Sequence, residues 1–245
     1  VEGTNKYRVG YQSARRGGLL GWLTAAVRHL IDGIAGQEKP LLAPLPDSPS
    51  VPEPEGYRKP SDSAIQRLVD DADFFEIMPD FARSLIVGFA RIQGVVVGIV
   101  ANNPRIYGGA KDADAARKQI HFMELCDTFH LPLVFFVDVP GFMVGLKAEE
   151  EGTLREGMRA VYAAGQLKVP TLTLVIRKCY GMAGMATCNK NDIDLKLAWP
   201  SGEWGSLPVE GGVAAAFRRE IEAADDPKAR EQELEAELRA YTSPF

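Results

Sequence analysis

The stretch of this sequence best suited to chemistry runs from Val169 to Cys188 and reads VPTLTLVIRKCYGMAGMATC. Residues 171–176 are β-branched or aliphatic, and so short an apolar run predicts a buried strand. Two charged residues follow, and the chain then turns through small residues between Tyr180 and Gly184. Residues 185–187 are expected to begin a helix, so the pattern is a strand, a turn and a helix.

This pattern gathers backbone N–H groups at one point, because the first N–H groups of a helix have no partner within it. The helix dipole adds positive potential there, which favours a negatively charged group. If a reaction places negative charge on an oxygen beside the turn, these N–H groups form an oxyanion hole. The alternative is an ordinary packing joint between strand and helix, since small residues also permit close approach.

Side-chain nucleophiles are poorly supported. The sequence has no G-x-S-x-G motif, and the glutamates at 149–151 are interpreted as the acidic start of a helix. The histidines are interpreted as core or surface residues: His29, His121 and His130. The cysteines show no metal-ligand spacing and are interpreted as buried free thiols, with a catalytic thiol as the weaker alternative beside the turn: Cys126, Cys179 and Cys188. No metal site is predicted, and such thiols indicate a reducing compartment, either the cytoplasm or a mitochondrial matrix.

The composition sets broad limits. The chain has 245 residues, of which 46% are hydrophobic and 25% charged, as is typical of a globular protein. A net charge of -5 gives no electrostatic reason to expect a nucleic-acid partner. No apolar run reaches the roughly 18 residues of a membrane span, and no signal peptide is recognised at Val1. Because the chain begins without Met and ends abruptly at Phe245, we expect a fragment or one domain of a longer protein.

Three segments differ in composition. Residues 1–40 carry one amphipathic helix between about Leu19 and Gly36, and residues 41–60 are rich in proline, which favours an extended linker. Residues 61–245 are typical of an α/β domain with a largely parallel sheet. The elements predicted in it are a helix over 64–71, hairpin strands 86–92 and 95–100 that turn at 93–94, a helix over 112–129, a strand over 133–137, a helix over 149–167, strands 171–176 and 194–199, a loop over 200–212 and helical chain from 213.

Three of the predicted strand ends carry glycine-containing turns, at residues 107–110, 140–142 and 180–183. Ligands of α/β folds bind outside the carboxyl ends of the strands. Three such turns in one domain therefore predict a binding site at this edge of the sheet. None of them matches a glycine-rich nucleotide-binding motif.

Residues from about 57 to 245 resemble the C-terminal domain of the carboxyltransferase β subunit of biotin-dependent acyl-CoA carboxylases, such as propionyl-CoA and methylcrotonyl-CoA carboxylase. The resemblance depends most on VDVPGF at 137–142, RKCYG at 177–181 and AWPSGEWG at 198–205. It implies a crotonase-like (ClpP/crotonase) fold of repeated ββα units. It also implies transfer of a carboxyl group from carboxybiotin to the α-carbon of an acyl-CoA through enolates whose oxygens need amide donors.

The resemblance also implies which residues form the site. It places the hole for the ureido oxygen of biotin on the backbone N–H groups of Met182 and Ala183, after Gly181. It places the biotin pocket at Gly141, Phe142, Gly108 and Gly109. The sequence departs from the family at Met182, which often is a second glycine, and at Leu207-Pro208, where Met-Gly is common. It departs again where carboxylases for short acyl groups often have Tyr-Asp, so the candidates for acyl specificity are Gly184 and Met185, and the apolar Met185 implies a different or larger acyl group.

The same resemblance implies partners. The chain has no Met-Lys-Met biotinylation motif, so biotin is expected on a separate domain or protein, such as a biotin carboxylase or biotin carrier subunit. The acyl-CoA is expected on the N-terminal carboxyltransferase domain of an opposite subunit in a homo-oligomer, a dimer or hexamer. The isolated domain is therefore expected to be inactive. The alternatives are a crotonase-like decarboxylase, hydratase or isomerase, which would need an acid/base group, or a non-catalytic scaffold half.

Overall fold

The computed structural model describes residues 65–66, 68–187 and 195–242 of the chain. The predicted N-terminal helix, the proline-rich linker, His29 and Cys188 lie outside the described residues. By internal packing the described residues form two units, one of the residues up to Phe74 together with Ala90–Val96, the other of Phe75–Phe89 together with the residues from Val97 onward. The candidate site lies within the second unit.

One sheet contains the strands of the described residues. They are β1 (Phe74–Ile77), β2 (Leu85–Ile92), β3 (Val95–Asn102), β4 (Leu133–Val139), β5 (Thr171–Tyr180), β6 (Leu195–Ala198) and β7 (Glu203–Gly205). Their order is β1-β2-β3-β4-β5-β6, and β7 pairs with β5 beyond the end of β6. From β3 onward the pairs are parallel, as predicted.

The α-helices of the described residues follow the strands in the predicted alternation. They are α1 (Ala113–Thr128), α2 (Leu146–Glu150), α3 (Thr153–Gln166), α4 (Gly181–Met185), α5 (Val209–Ala216), α6 (Arg218–Ala223) and α7 (Pro227–Thr242). The carboxylate of Asp112 caps α1 by accepting a hydrogen bond of 2.7 Å from the N–H of Ala115. No helix within these bounds is long and apolar enough to cross a membrane.

The core lies between β3–β5 and α1. All seven residues of β4 are buried, so this strand is covered on both faces. Phe122 and Cys126 of α1 pack in the same cluster as Phe135 and Val175 of the sheet. Burying each such side chain contributes roughly 1.5–3 kcal/mol, so this cluster fixes the strands whose ends carry the three turns.

The hairpin between β2 and β3 was predicted correctly. Gln93 and Gly94 both have positive φ, 51° and 77°, as a tight hairpin turn requires. Their N–H groups donate hydrogen bonds of 2.9 and 2.6 Å to the carboxylate of Asp70. The carboxylate therefore holds the turn from outside the hairpin.

Several predicted boundaries are wrong. The strand predicted to end at 176 continues to Tyr180, and the helix predicted over 149–167 is two helices separated at Gly152, whose φ of 73° is left-handed. The helical chain predicted from 213 begins at Val209 and is divided into α5, α6 and α7. Two short strands were missed, β1 and β7.

The helical spacing over 149–167 predicts an apolar face at Leu154, Met158, Val161 and Gly165, but of these four only Val161 is partly buried. Leu154 is 61% exposed, Met158 44% and Tyr162 71%. The buried face instead consists mostly of small residues, such as Gly157 and Ala160. A Cβ at Gly157 would lie 2.7 Å from the ring of Phe142, so small residues let the helix approach its neighbours closely.

Candidate active site

The first two glycine turns are joined directly by backbone hydrogen bonds. Lys111, which follows the 107–110 turn, donates its N–H to the carbonyl of Gly141 at 3.1 Å. The N–H of Met143 donates to the carbonyl of Lys111 at 2.8 Å. The ends of β3 and β4 are therefore held together just beyond the sheet, where a ligand of an α/β fold is expected.

The 107–110 turn forms a 3-10 turn over Tyr107–Gly109. Gly108 and Gly109 have positive φ, 62° and 85°. A Cβ at Gly108 would meet nothing within 4 Å, whereas one at Gly109 would overlap the carbonyl oxygen of Asp138. Gly109 thus permits a close approach to β4, and Gly108 faces open space.

Asn102, at the end of β3, braces this approach. Its Nδ2 donates to the carbonyl of Gly109 at 3.5 Å, and its Oδ1 accepts from the N–H of Asp138 at 3.2 Å. The side chain is buried, so both of its polar ends find partners without water.

The 140–142 turn presents two different surfaces. Gly141 has a φ of 153° and open space where a side chain would be. Phe142 is half-buried and its ring packs on Gly157 of α3. Two of the four residues assigned to the biotin pocket belong to this turn: Gly141 exposes its backbone, and Phe142 supports the turn by packing its ring on α3.

The third turn opens α4. Gly181 has a φ of 57°, and a Cβ there would lie 3.2 Å from the carbonyl oxygen of Ser206, so glycine suits both the conformation and the space. Met182 and Ala183 belong to the first turn of α4, whose N–H groups have no acceptor within the helix. Elsewhere in the described part of the chain, no acceptor for these two N–H groups is found.

The two amides differ in burial. Met182 is half-buried, and Ala183 is completely buried within the core cluster of the sheet. Of the pair, only Met182 reaches the surface of this chain by itself. Gly184 is also buried, and a Cβ there would lie 2.8 Å from Sγ of Cys179, while Met185 is 43% exposed.

An ion pair connects the ends of β4 and β5. Oδ1 of Asp138 accepts hydrogen bonds from Nε of Arg177 at 3.1 Å and from the N–H of Lys178 at 3.2 Å. Nη2 of Arg177 lies 3.1 Å from Oδ2 of the same carboxylate. Asp138 is buried, and its Oδ1 joins the two strand ends, whereas its Oδ2 pairs with the Arg177 charge but accepts no hydrogen bond within the described residues.

Sequence reasoning missed a second buried polar group beside the turns. Lys111 is completely buried, and its Nζ donates to Oε1 of Gln119 at 2.6 Å and to the carbonyl of Ala183 at 3.4 Å. Nε2 of Gln119 donates to the carbonyl of Ala186 at 2.7 Å. The only signal in the sequence is a lysine directly after a glycine turn, and its neighbours do not distinguish it from a solvated lysine.

The interpretation of the cysteines and histidines holds for those in the described residues. Cys126 and Cys179 are free and buried, and His121 and His130 are exposed. Burial, helped by the charge of Asp127, raises the pKa of Cys126 from 9.0 to about 12, so this thiol stays protonated and unreactive. No group of His, Cys, Asp or Glu within the described ranges is arranged to hold a metal ion.

A groove of about 620 Å³ lies between α1 and α3, on a different surface from the turns. Aliphatic, aromatic and charged side chains line it: Ile120, Glu124, Asp127, Arg155, Met158, Arg159, Tyr162, Ala163, Gln166 and Leu167. No residue of the predicted site contributes to it.

The mixed sheet, its covering helices and the turns at the carboxyl ends of its parallel strands define a crotonase-like α/β domain. The family model described as "Carboxyl transferase domain" matches residues 35–245, and the chain belongs to this family. It is 37% identical over 232 residues to the propionyl-CoA carboxylase carboxyltransferase subunit of Haloferax mediterranei, covering 89% of this chain and 45% of that protein. It is 37% identical over 207 residues to the methylmalonyl-CoA decarboxylase subunit alpha of Propionigenium modestum, covering 84% of this chain and 39% of that protein.

Among solved structures, the transcarboxylase 12S crystal structure, described as a hexamer assembly with methylmalonyl-coenzyme A and methylmalonic acid bound, superposes with a TM-score of 0.69 and 40% identity. The match covers 75% of this chain and 36% of that one. The chain therefore spans less than half the length of the relatives it matches.

Proposed function

We propose that this chain is the biotin-side domain of an acyl-CoA carboxyltransferase, which transfers a carboxyl group from carboxybiotin to the α-carbon of an acyl-CoA. The observation that carries the proposal is the pair of N–H groups at Met182 and Ala183, which lack acceptors in the described part of the chain. They stand beside two glycine turns that are bonded to each other. The family to which the chain belongs makes this chemistry the expected one.

These residues fit a bound biotin. When bound, carboxybiotin supplies the carboxyl group, and negative charge then develops on its ureido oxygen. The N–H groups of Met182 and Ala183 would donate hydrogen bonds to that oxygen, and buried amide donors are worth most where charge develops in a water-poor site. Gly108 and Gly141, where a Cβ would meet nothing within 4 Å, would leave room for the ring.

The burial of Ala183 divides the roles of the two donors. Met182 would meet the oxygen first, because only this residue reaches the surface of the chain. Ala183 would supply the second, more deeply placed N–H group. The ion pair of Asp138 and Arg177 would keep the β4 and β5 ends, and so the two turns, at a fixed separation.

The acyl-CoA side of the reaction would come from elsewhere. The chain spans less than half of its relatives, and its own turns at 107–110, 140–142 and 180–183 contain no carboxylate. We expect the acyl-CoA to be held by an N-terminal carboxyltransferase domain of an opposite subunit, and biotin to arrive on a carrier subunit. The exposed apolar face of α3 supports a homo-oligomer, because exposed apolar stripes of this kind mark interaction surfaces.

Acyl specificity would depend on Met185. Met185 is the last residue of α4 and is 43% exposed, whereas Gly184 is buried against Cys179 and would act by permitting that packing. Met185→Asp should change the ranking of acyl-CoA chain lengths in a transfer assay with the whole protein and its carrier. An unchanged ranking would remove Met185 from the acyl pocket.

The oxyanion hole is tested by removing one amide at constant bulk. Ala183→Pro deletes the N–H, and Ala183→Val adds similar volume but keeps it. In the whole protein with its carrier, we expect Ala183→Pro to lower the transfer rate by about 10²-fold relative to Ala183→Val, the loss typical of one oxyanion donor. Equal rates for the two folded variants would refute the assignment.

Decarboxylation is a second candidate, which the similarity to the decarboxylase subunit favours. The same amides would serve, with the carboxyl group moving from the acyl-CoA toward biotin. Incubating the assembled protein with methylmalonyl-CoA separates the two activities, because a decarboxylase releases CO₂ without an acyl-CoA acceptor. A hydratase or isomerase is disfavoured, since Asp138, the buried carboxylate that the described residues place next to these turns, is paired with Arg177.

A further inference from the structure

Two lysines near the start of α1 are completely buried, although lysine is among the residues least often found inside proteins. Lys118 is 1% exposed, and its Nζ donates to the carbonyls of Met78, Phe81 and Leu85 at 2.9, 2.8 and 2.7 Å. It therefore fastens the chain before β2. Lys111 is equally buried, and it lies beside the glycine turns of the proposed site.

Lys111 contacts all three glycine turns. It follows the first turn in the chain, its backbone N–H bonds to the carbonyl of Gly141 in the second, and its Nζ lies 3.4 Å from the carbonyl of Ala183 in the third. Its Nζ also donates to Gln119 at 2.6 Å, and Gln119 donates to Ala186 at the end of α4. The two side chains thus connect α1 to the carbonyl end of α4.

This connection determines how α4 is held. A helix of five residues is too short to be stable by its own hydrogen bonds. Its last carbonyls need donors from outside the helix, and a cationic donor there is favoured by the helix dipole. Lys111 and Gln119 supply such donors, and the direction of the N–H groups at the other end of so short a helix follows from them.

We propose that Lys111 and Gln119 are positioning residues of the carboxyl-transfer site, which aim the N–H groups of Met182 and Ala183 by binding the carbonyl end of α4. This inference rests on the proposed function, since it is the proposed oxyanion hole that they position. Lys111 does not touch the ligand in this arrangement. Its effect passes through the carbonyl of Ala183.

Whether Lys111 holds α4 in place can be tested without any activity assay. In the whole protein, amide hydrogen exchange of Ala186 and Thr187 reports on α4, because their N–H groups donate to Met182 and Gly184 at 3.1 Å. Lys111→Met should speed exchange of these two amides by at least about tenfold. Lys118→Met is the matched control, since it removes an equally buried lysine of the same region and should leave them unchanged.

Equal exchange at Ala186 and Thr187 in Lys111→Met and in the wild-type protein would overturn the proposal. So would equal acceleration in both lysine variants, because α4 would then be responding to general loss of stability.

The kinetic part uses the whole protein with its carrier and acyl-CoA. Lys111→Met should lower kcat at least about tenfold while the KM for acyl-CoA changes less than about threefold, because misplaced donors affect the transition state most. Lys118→Met should keep the wild-type kcat at a temperature where both variants are folded. A kcat for Lys111→Met within twofold of that for Lys118→Met would contradict the positioning role.

A double variant separates positioning from the mere satisfaction of buried polar groups. Lys111→Met with Gln119→Leu replaces both partners by apolar side chains, which can restore stability. We expect the midpoint of unfolding to recover toward the wild-type value and kcat to stay low. Recovery of kcat to within twofold would refute the proposal. If the wild-type protein transfers no carboxyl group at all, the proposed function fails, and the exchange experiment still decides whether Lys111 and Gln119 hold α4.

Discussion

The close approach of Gly109 to β4 gives a sharp prediction, because its neighbour Gly108 provides a control with nearly the same backbone. Both residues are left-handed, and alanine in that conformation costs about 1–2 kcal/mol at either position. A methyl group at Gly108 meets nothing, whereas one at Gly109 overlaps the carbonyl oxygen of Asp138. Relieving that overlap requires a backbone shift at a packed position, which costs a further 1–3 kcal/mol or so.

We therefore expect Gly109→Ala to lower the free energy of unfolding by about 2–5 kcal/mol and Gly108→Ala by about 1–2 kcal/mol. Denaturant titration of both variants measures the difference. In a transfer assay the order should differ, because the methyl group that Gly108→Ala adds would enter the open space proposed for biotin and raise the KM for the carrier without unfolding the protein. Equal destabilisation of the two variants, within about 0.5 kcal/mol, would show that the 107–109 turn does not press against β4.

Three further predictions concern other parts of the second unit. Gly165→Ala should raise the free energy of unfolding by about 0.5–1 kcal/mol, because this exposed helical glycine has open space for a Cβ; a loss of stability in denaturant titration would contradict it. The pKa of Cys126 is raised from 9.0 to about 12, chiefly by burial, so its contribution to stability is complete below pH 9 and declines as the pH rises toward 12. Between pH 8 and 10.5 the wild-type protein should lose about 2 kcal/mol more than Cys126→Ala, and identical pH profiles in denaturant titrations would refute the shift. Met158→Glu with Tyr162→Glu should shift the native mass of the whole protein to smaller assemblies without lowering its melting temperature by more than about 3 °C, since both side chains are largely exposed; an unchanged mass would exclude the α3 face from the interface.

The alternation of strands and helices was predictable because it depends on local apolar patterns. The strand β4, the hairpin turn at 93–94 and the helix α1 all follow from short-range spacing and turn chemistry. The place where the three glycine turns meet also follows, since adjacent parallel strands end at the same edge of the sheet.

The end of β5 was not predictable from its own residues. Arg177 and Lys178 are charged, which favours a loop over a strand. The strand continues because Asp138 of β4 accepts from both residues, and because Lys178, Cys179 and Tyr180 pair with β7. These partners lie 23 to 40 residues away in the chain, beyond the reach of any local pattern.

The burial of the two lysines also could not be predicted from the local sequence. Nothing in the residues around Lys118 indicates that its ammonium group is buried, because its three carbonyl acceptors lie 33 to 40 residues earlier in the chain. The apolar stripe of α3 misled the prediction because periodicity identifies an apolar face but not what covers it. Here the small residues of the opposite face pack inward.

The last residues of β5 are paired along both edges: Cys179 stands opposite Val139 of β4 and opposite Trp204 of β7. The turn at 180–183 therefore follows a strand end that is held in place on both edges. Its N–H groups are ordered when the chain folds, so an anion bound there, as proposed, would lose little affinity to restraining them.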